Sequence, residues 1–425
     1  MFGVRGASEQ AAGQELERPL AQPQAEGGGP GDRSPGDGPG GGRGPGQHHR
    51  GRIILVAAVA VAVVIAGTLY AVLRNAGSTY TGPDLTLPNA AVLRLVSVAP
   101  AANSTHVNGA APVLVEFNGP LKSGSPSPVI TPAVRGTWTH SGDSAIFTPA
   151  TALAPSTRYT IQIPAGIQAR GGARLSGATT TVHFTTGGYS PLRLSQLLSQ
   201  LGYLPMTWAP ATSPAARAEL QNVSNMSQSQ EAMAFDPPAG TFALHAGYPA
   251  ALAAMWTPDQ PNVVLKGAIM AFQHNHGMLP TGVLSAKIWA DLFAAAAAGD
   301  RNASGYTYAV ASKSLPESLT IWHNGHQVFH TLANTGIPVA PTVDGTFPVY
   351  QKFRFQIMSG TNPNGSHYSD PVSFVSYFNG GDAVHYFPRP GYGYQQSLGC
   401  VELPYNAAAT AYPFLTYGSL VTVSG

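Results

Sequence analysis

The chain has 425 residues, too many for one ordinary hydrophobic core; 44% are apolar and only 10% charged, enough material for several cores beneath a sparsely charged surface. A formal net charge of +2, with no basic stripe carrying interleaved aromatics, excludes nucleic acid as the expected partner. The single cysteine, Cys400, excludes an intramolecular disulfide, so each domain must stand on packing alone.

Residues 1–52 are dominated by Gly, Pro, Gln and Arg, as in GGGPGDRSPGDGPGGGRGPG, and lack the apolar residues that offset chain-ordering entropy; they read as a disordered tail. Residues 53–73 form a nearly unbroken run of Ile, Val, Ala and Leu, long enough to cross a hydrocarbon layer of about 30 Å as a helix. Arg43, Arg50 and Arg52 precede this run and Arg74 alone follows it closely, so the tail is expected in the cytoplasm and the rest of the chain outside it. The long preceding tail and the absence of a small-residue cleavage site argue for a retained single-pass anchor in the cell membrane rather than a cleaved leader. Residues 74–91 are a linker.

From 92 to 187 the pattern is short alternating segments parted by Pro, Gly, Ser and Asn: VLVEF at 113–117, GTWTH at 136–140, AIFTP at 145–149, RYTIQIP at 158–164 and TVHFTTG at 181–187. This spacing predicts a β-sandwich. With FNGPL at 117–121, a central GTW, LAPSTRYTI and the closing FTTG, the segment resembles a bacterial Ig-like domain, which implies a spacer or stalk.

Residues 189–297 turn helical. Leu194, Leu197, Leu198 and Leu201 recur at helical spacing before Gly202; Leu265, Ile269 and Phe272 share a second helical face that stops near Gly277; Ser285 is an N-cap for a third helix with Ile288, Trp289 and Leu292. A small three-helix domain follows, interrupted by an insertion at 205–262. Periodicity makes these aromatics and leucines core residues. The wording LSQLLSQLGYLP and then GAIMAFQHNHGMLPTGVLSAKIWADL resembles a peptidoglycan-binding domain, and a binding role is implied by that resemblance alone.

From 305 to 425 strands return, and Asn324-Gly325 between alternating segments predicts a two-residue hairpin. His323, His326 and His330 flank that turn without an acidic or thiol companion, so no metal site is expected, and no cofactor is implied. An exported chain's lone thiol calls for an account, and a thiolate with a histidine base is the minimal equipment for acyl transfer. His385 lies fifteen positions before Cys400, and the two can meet only if the Pro/Gly-rich FPRPGYGYQQ between them brings two strands or loops together. Backbone N–H groups around Leu398, Gly399 and Cys400 are candidate oxyanion donors, with Ser397 shaping the turn.

The run NTGIPVAPTVDGTFPVYQKF at 334–353, the segment Gly380-Gly381-Asp382-Ala383-Val384-His385 and the segment Ser397-Leu398-Gly399-Cys400-Val401-Glu402-Leu403 together resemble an L,D-transpeptidase over about 120 residues. The resemblance implies a mostly-β catalytic domain. It further implies Cys400 as nucleophile with His385 as the candidate base, a Cys400 thioester with peptidoglycan stem peptides, cross-link formation in cell-wall biogenesis and cell shape, and acylation by carbapenem-type beta-lactams. It makes the Tyr386 main-chain carbonyl the group that orients His385, and puts Tyr368, in the loop NPNGSHYSD, on a flap over the acyl-donor site. Two positions depart from the family pattern: Leu398 replaces its motif histidine and Glu402 its arginine. The alternative is therefore a catalytically weak or inactive wall-binding structural protein; a thioester resolved by water or by a protein amine is a third reading.

Overall fold

The computed structural model describes residues 92–211 and 227–425. The predicted tail, the apolar run at 53–73 and the linker lie outside the described residues. Among the described residues, no helix is long and apolar enough to cross a membrane.

The first domain is a sandwich of two antiparallel sheets. One has the order β1-β2-β5-β4, from β1 (Leu95–Ala99), β2 (Val113–Phe117), β4 (Gly136–Ser141) and β5 (Ser144–Pro149). The other has the order β3-β6-β7, from β3 (Val129–Thr131), β6 (Arg158–Ile163) and β7 (Thr180–Thr185). Alternation places Val113, Val115 and Phe117 inward, where they meet Phe147, Ile161, Ile163 and Phe184. The five segments expected from the pattern are β2, β4, β5, β6 and β7. The short edge strands β1 and β3 carry too little alternation to stand out in sequence.

The helical region begins with α1 (Pro191–Gln200), whose N-cap Ser190 accepts from Leu192 N–H. The interrupted segment contains β8 (Met206–Pro210) paired antiparallel with β9 (Gly240–Leu244), together with α2 (Ser227–Phe235) and the short α3 (Ala250–Ala254). α4 (Val263–Asn275) and α5 (Ala286–Ala298) follow, capped by Asn262 and by Ser285, the latter accepting from Ile288 N–H. The expectation of a three-helix domain needs correction on two counts. Among the described residues the region holds five helices and a two-strand ribbon, and its core is not its own: Leu197, Leu198, Phe272 and Leu292 share one cluster with Tyr306, Tyr308 and Leu420 of the following domain. Gly267, in the middle of α4, permits this contact, because a Cβ there would lie 2.5 Å from the Gly418 carbonyl oxygen.

The last domain pairs a five-stranded sheet, β12-β11-β10-β18-β13, with a four-stranded sheet, β14-β15-β16-β17. The first contains β10 (Thr307–Ser312), β11 (Ser318–His323), β12 (His326–Leu332), β13 (Gly345–Pro348) and β18 (Leu420–Ser424). The second contains β14 (Gln351–Thr361), β15 (His367–Asn379), β16 (Asp382–Tyr386) and β17 (Val401–Leu403); α6 (Tyr405–Ala411) packs beside it. Asn324 and Gly325, both at positive φ, turn β11 into β12. A core of Ala309, Ile321, Phe378, Val384, Val401, Leu403 and Val421 joins these elements.

Candidate active site

β16 and β17 run parallel, with Val384 opposite Val401, His385 opposite Glu402 and Tyr386 opposite Leu403. Side chains alternate between faces. Val384, Val401 and Leu403 point into the domain core, while Ala383 belongs to a second cluster with Val372, Val375 and Tyr377, and Cys400 packs against it beside Phe353, Met358 and Phe387. By the same alternation His385 lies on the face of Ala383, so Cys400 and His385 share one face of this strand pair.

His385 is 3% exposed, and its Nδ1 lies 2.9 Å from the Tyr386 carbonyl oxygen. A carbonyl only accepts, so Nδ1 carries the proton and Nε2 of the neutral ring keeps its lone pair. Burial lowers the imidazole pKa, with Arg389 acting in the same direction and the Tyr386 carbonyl and Glu402 opposing it. The ring is thus held neutral, able to accept a proton at Nε2.

The half-buried Cys400 thiol lies over the turn from β15 to β16, with Sγ 3.8 Å from the Gly381 carbonyl oxygen. Burial pushes the thiol up to about 12; the Ala383 N–H favours the thiolate, whereas the nearby Asp382 and Glu402 carboxylates oppose it. Ionisation of this thiol therefore depends on a base acting when a reaction occurs.

The turn before Cys400 is tightly bound to the TG and PT segments. Ser397 Oγ donates to the Cys400 carbonyl at 2.6 Å and accepts from Gly399 N–H at 3.2 Å. Thr342 Oγ1 accepts from Gly336 N–H at 2.8 Å and donates to the Cys400 carbonyl at 3.4 Å. Ile337 N–H reaches the Ser397 carbonyl at 2.9 Å. Of the three backbone groups considered as oxyanion donors, Gly399 N–H is thus already engaged by Ser397. Gly399 has φ +118, and a Cβ there would collide with the Asp382 carboxylate.

Tyr368 stands in β15 and not in a loop, because β14 and β15 form one long ladder in which Tyr368 pairs with Gly360 and its ring covers that glycine. Burial, Cys400 and Asp370 all raise the Tyr368 phenol, placing it in the electrostatic neighbourhood of the thiol.

Three groups escaped the sequence reading. Arg389 forms a bidentate pair with Glu402, at 2.7 Å from Nε and 2.7 Å from NH2, and donates to the Gln396 carbonyl at 3.0 Å. Its guanidinium also lies over the Phe387 ring. Asn334 exchanges backbone hydrogen bonds with Glu402 and accepts from Gly393 N–H through its side chain. Asp382 receives Val343 N–H and an Asn379 amide contact of 3.4 Å beside the thiol. Only Arg389 had a sequence signal, being the sole cation between His385 and Cys400. Among the described residues, no three His, Cys, Asp or Glu side chains converge as a metal-ligand set.

Comparison with known proteins finds two family matches: residues 89–186 match the bacterial Ig-like domain, and residues 307–423 match the L,D-transpeptidase catalytic domain. No curated protein matches the chain. Solved structures similar to it include an L,D-transpeptidase from Mycobacterium smegmatis, at 15% identity and TM-score 0.27, covering 78% of this chain and 99% of that one. Another is L,D-transpeptidase 3 from Mycobacterium tuberculosis with a faropenem-derived adduct, at 15% identity and TM-score 0.26, covering 78% and 98%. The catalytic domain of an E. faecium L,D-transpeptidase is 25% identical with TM-score 0.26, covering 28% of this chain and 95% of that one.

Proposed function

We propose that the C-terminal domain cross-links peptidoglycan stem peptides by L,D-transpeptidation, with Cys400 as nucleophile and His385 as base. The observation that carries this reading is the shared face of Cys400 and His385 on β16–β17, with Nδ1 committed to the Tyr386 carbonyl and Nε2 left as acceptor. The match of residues 307–423 to the L,D-transpeptidase catalytic domain supports it.

In the first half-reaction Cys400 Sγ attacks a stem-peptide amide carbonyl as its proton passes to His385 Nε2. The tetrahedral oxyanion is met by the backbone N–H groups of Leu398 and Cys400, the Gly399 N–H between them being held by Ser397. Collapse expels the terminal D-residue as an amine, which takes the proton from the imidazolium, leaving a thioester. An amine of a neighbouring stem then resolves it. Tyr368 bounds the donor side. The same thiol is expected to be acylated by carbapenem-type beta-lactams.

In this reading the apolar run at 53–73 anchors the chain in the cell membrane with its N-terminus cytoplasmic, the Ig-like domain is a stalk and the helical region binds peptidoglycan. A catalytically weak wall-binding protein is the second reading, favoured by a thiol whose ionisation is opposed by burial and two carboxylates.

Intact-mass spectrometry of the full chain with a disaccharide-tetrapeptide donor separates the two. A Cys400-dependent loss of the terminal D-residue with dimeric product, abolished in Cys400→Ala and His385→Ala, supports the transpeptidase. Peptidoglycan binding with neither adduct nor product favours the structural protein.

A further inference from the structure

The flank of Cys400 formed by the β15–β16 turn is lined by acceptors. The Gly381 carbonyl lies 3.8 Å from Sγ, and the Asp382 carboxylate is pressed against Gly399, one residue before the thiol. Asp382 is only partly exposed, and burial raises its carboxyl while Asn379 and the Val343 N–H pull it back. The placement works against acylation, because an anion beside Cys400 resists formation of the thiolate. A carboxylate kept where it hinders the first half-reaction requires an account in the second. A carbonyl oxygen and a carboxylate repel a substrate carboxylate and offer nothing to an oxyanion; they are complementary to a cation rich in N–H donors.

Resting on the transpeptidase reading, we infer that Asp382, with the Gly381 carbonyl, is the acceptor-binding element of the site, holding a primary ammonium group of the acceptor beside the Cys400 thioester. The Leu398–Cys400 turn serves the oxyanion, and the Gly381–Asp382 turn serves the incoming amine. The ammonium gives one proton to solvent, and the neutral nitrogen attacks the thioester carbonyl to form the C–N bond. His385 Nε2 removes a second proton as the C–S bond breaks with its electron pair on Sγ. The imidazolium then reprotonates the thiolate, so thioester and ammonium yield amide, thiol and one released proton. Proximity to Asp382 raises the local concentration of the amine over water and makes aminolysis the favoured fate of the thioester.

The test separates the half-reactions in the full chain carrying Asp382→Asn or Asp382→Glu. Acylation of Cys400 by a disaccharide-tetrapeptide is followed by intact mass. Resolution is followed as the ratio of aminolysis to hydrolysis, once with a tetrapeptide bearing a free side-chain ammonium and once with hydroxylamine, which is uncharged at neutral pH. Asp382→Asn is expected to acylate at least as fast as the unaltered chain. Its aminolysis ratio with the ammonium acceptor falls roughly tenfold or more, through the removal of one charge-assisted contact. The ratio with hydroxylamine stays within about twofold, and Asp382→Glu restores part of the loss. Equal losses with both nucleophiles, or an aminolysis ratio unmoved by Asp382→Asn, overturn the assignment. Failure of the unaltered chain to form any Cys400 adduct overturns instead the reading on which it rests, and this inference with it.

Discussion

His385 and Glu402 face one another across the parallel pair β16–β17, and the Glu402 carboxylate is held by Arg389 from the loop that joins the two strands. The negative charge that the sequence places two residues after Cys400 is therefore paired, and through Arg389 it is tied to Phe387, whose ring meets that of His385 edge-on. Removal of the arginine leaves Glu402, which is 4% exposed, without its partner. Arg389→Ala is expected to destabilise the domain by about 2–3 kcal/mol, below the full cost of breaking a buried pair because the arginine is partly solvated. Arg389→Met combined with Glu402→Gln should recover much of it in urea unfolding; additive losses in the double variant refute the pairing as the cause.

The thiol is expected to be neutral at rest, with only its small thiolate fraction reacting. Because Cys400 is pushed up to about 12, iodoacetamide alkylation should rise about tenfold per pH unit between pH 6 and 9. A plateau extending to low pH marks a preformed thiolate–imidazolium pair and contradicts the neutral arrangement.

Stability should fall on mild acidification. An unfolded imidazole takes up its proton near pH 6.5, whereas folded His385 does so only at lower pH, so the unfolded state binds more protons between the two values. The contribution is fully present above about pH 6.5 and is lost as pH falls through the folded value. His274 and His323, also lowered by burial, act in the same direction. Thermal unfolding between pH 7 and pH 5 reads the sum, and His385→Gln should flatten the slope.

Ser397 acts on the turn that carries the thiol. Ser397→Ala removes both hydrogen bonds of that hydroxyl, to the Cys400 carbonyl and from the Gly399 N–H, and loosens the turn that places Sγ; at about 1 kcal/mol of lost positioning, acylation of Cys400 should slow roughly fivefold with the fold intact. Acylation at the unaltered rate shows that the backbone holds the turn unaided.

The helical region and the C-terminal domain should unfold together. Gly267→Ala drives a methyl group into the Gly418 carbonyl and is expected to cost about 1–3 kcal/mol. Its effect should appear equally at probes in α4 and in β18, within one transition. Separate transitions show that the shared core of Tyr306, Tyr308 and Leu420 does not couple them.

Much of this architecture is legible in sequence because it is locally encoded. The strands β2 and β4 to β7 follow from alternation, α1, α4 and α5 from helical spacing and the cap at Ser285, and the β11–β12 hairpin from two residues that accept positive φ. The reading of Cys400 with His385 came from the motif segments at 380–385 and 397–403, not from periodicity. Tertiary structure decided what depends on partners distant along the chain. Tyr368 became a strand residue because β14 pairs with it, and the helical region lost its independence because Gly267 and Gly418 let two backbones meet. Glu402 acquired Arg389, and Asp382 came to lie against Gly399, only when β16 and β17 ran side by side. Composition and periodicity carry information about a residue's own surroundings on its element. The charge balance around Cys400 is set by contacts between elements, which no local pattern contains.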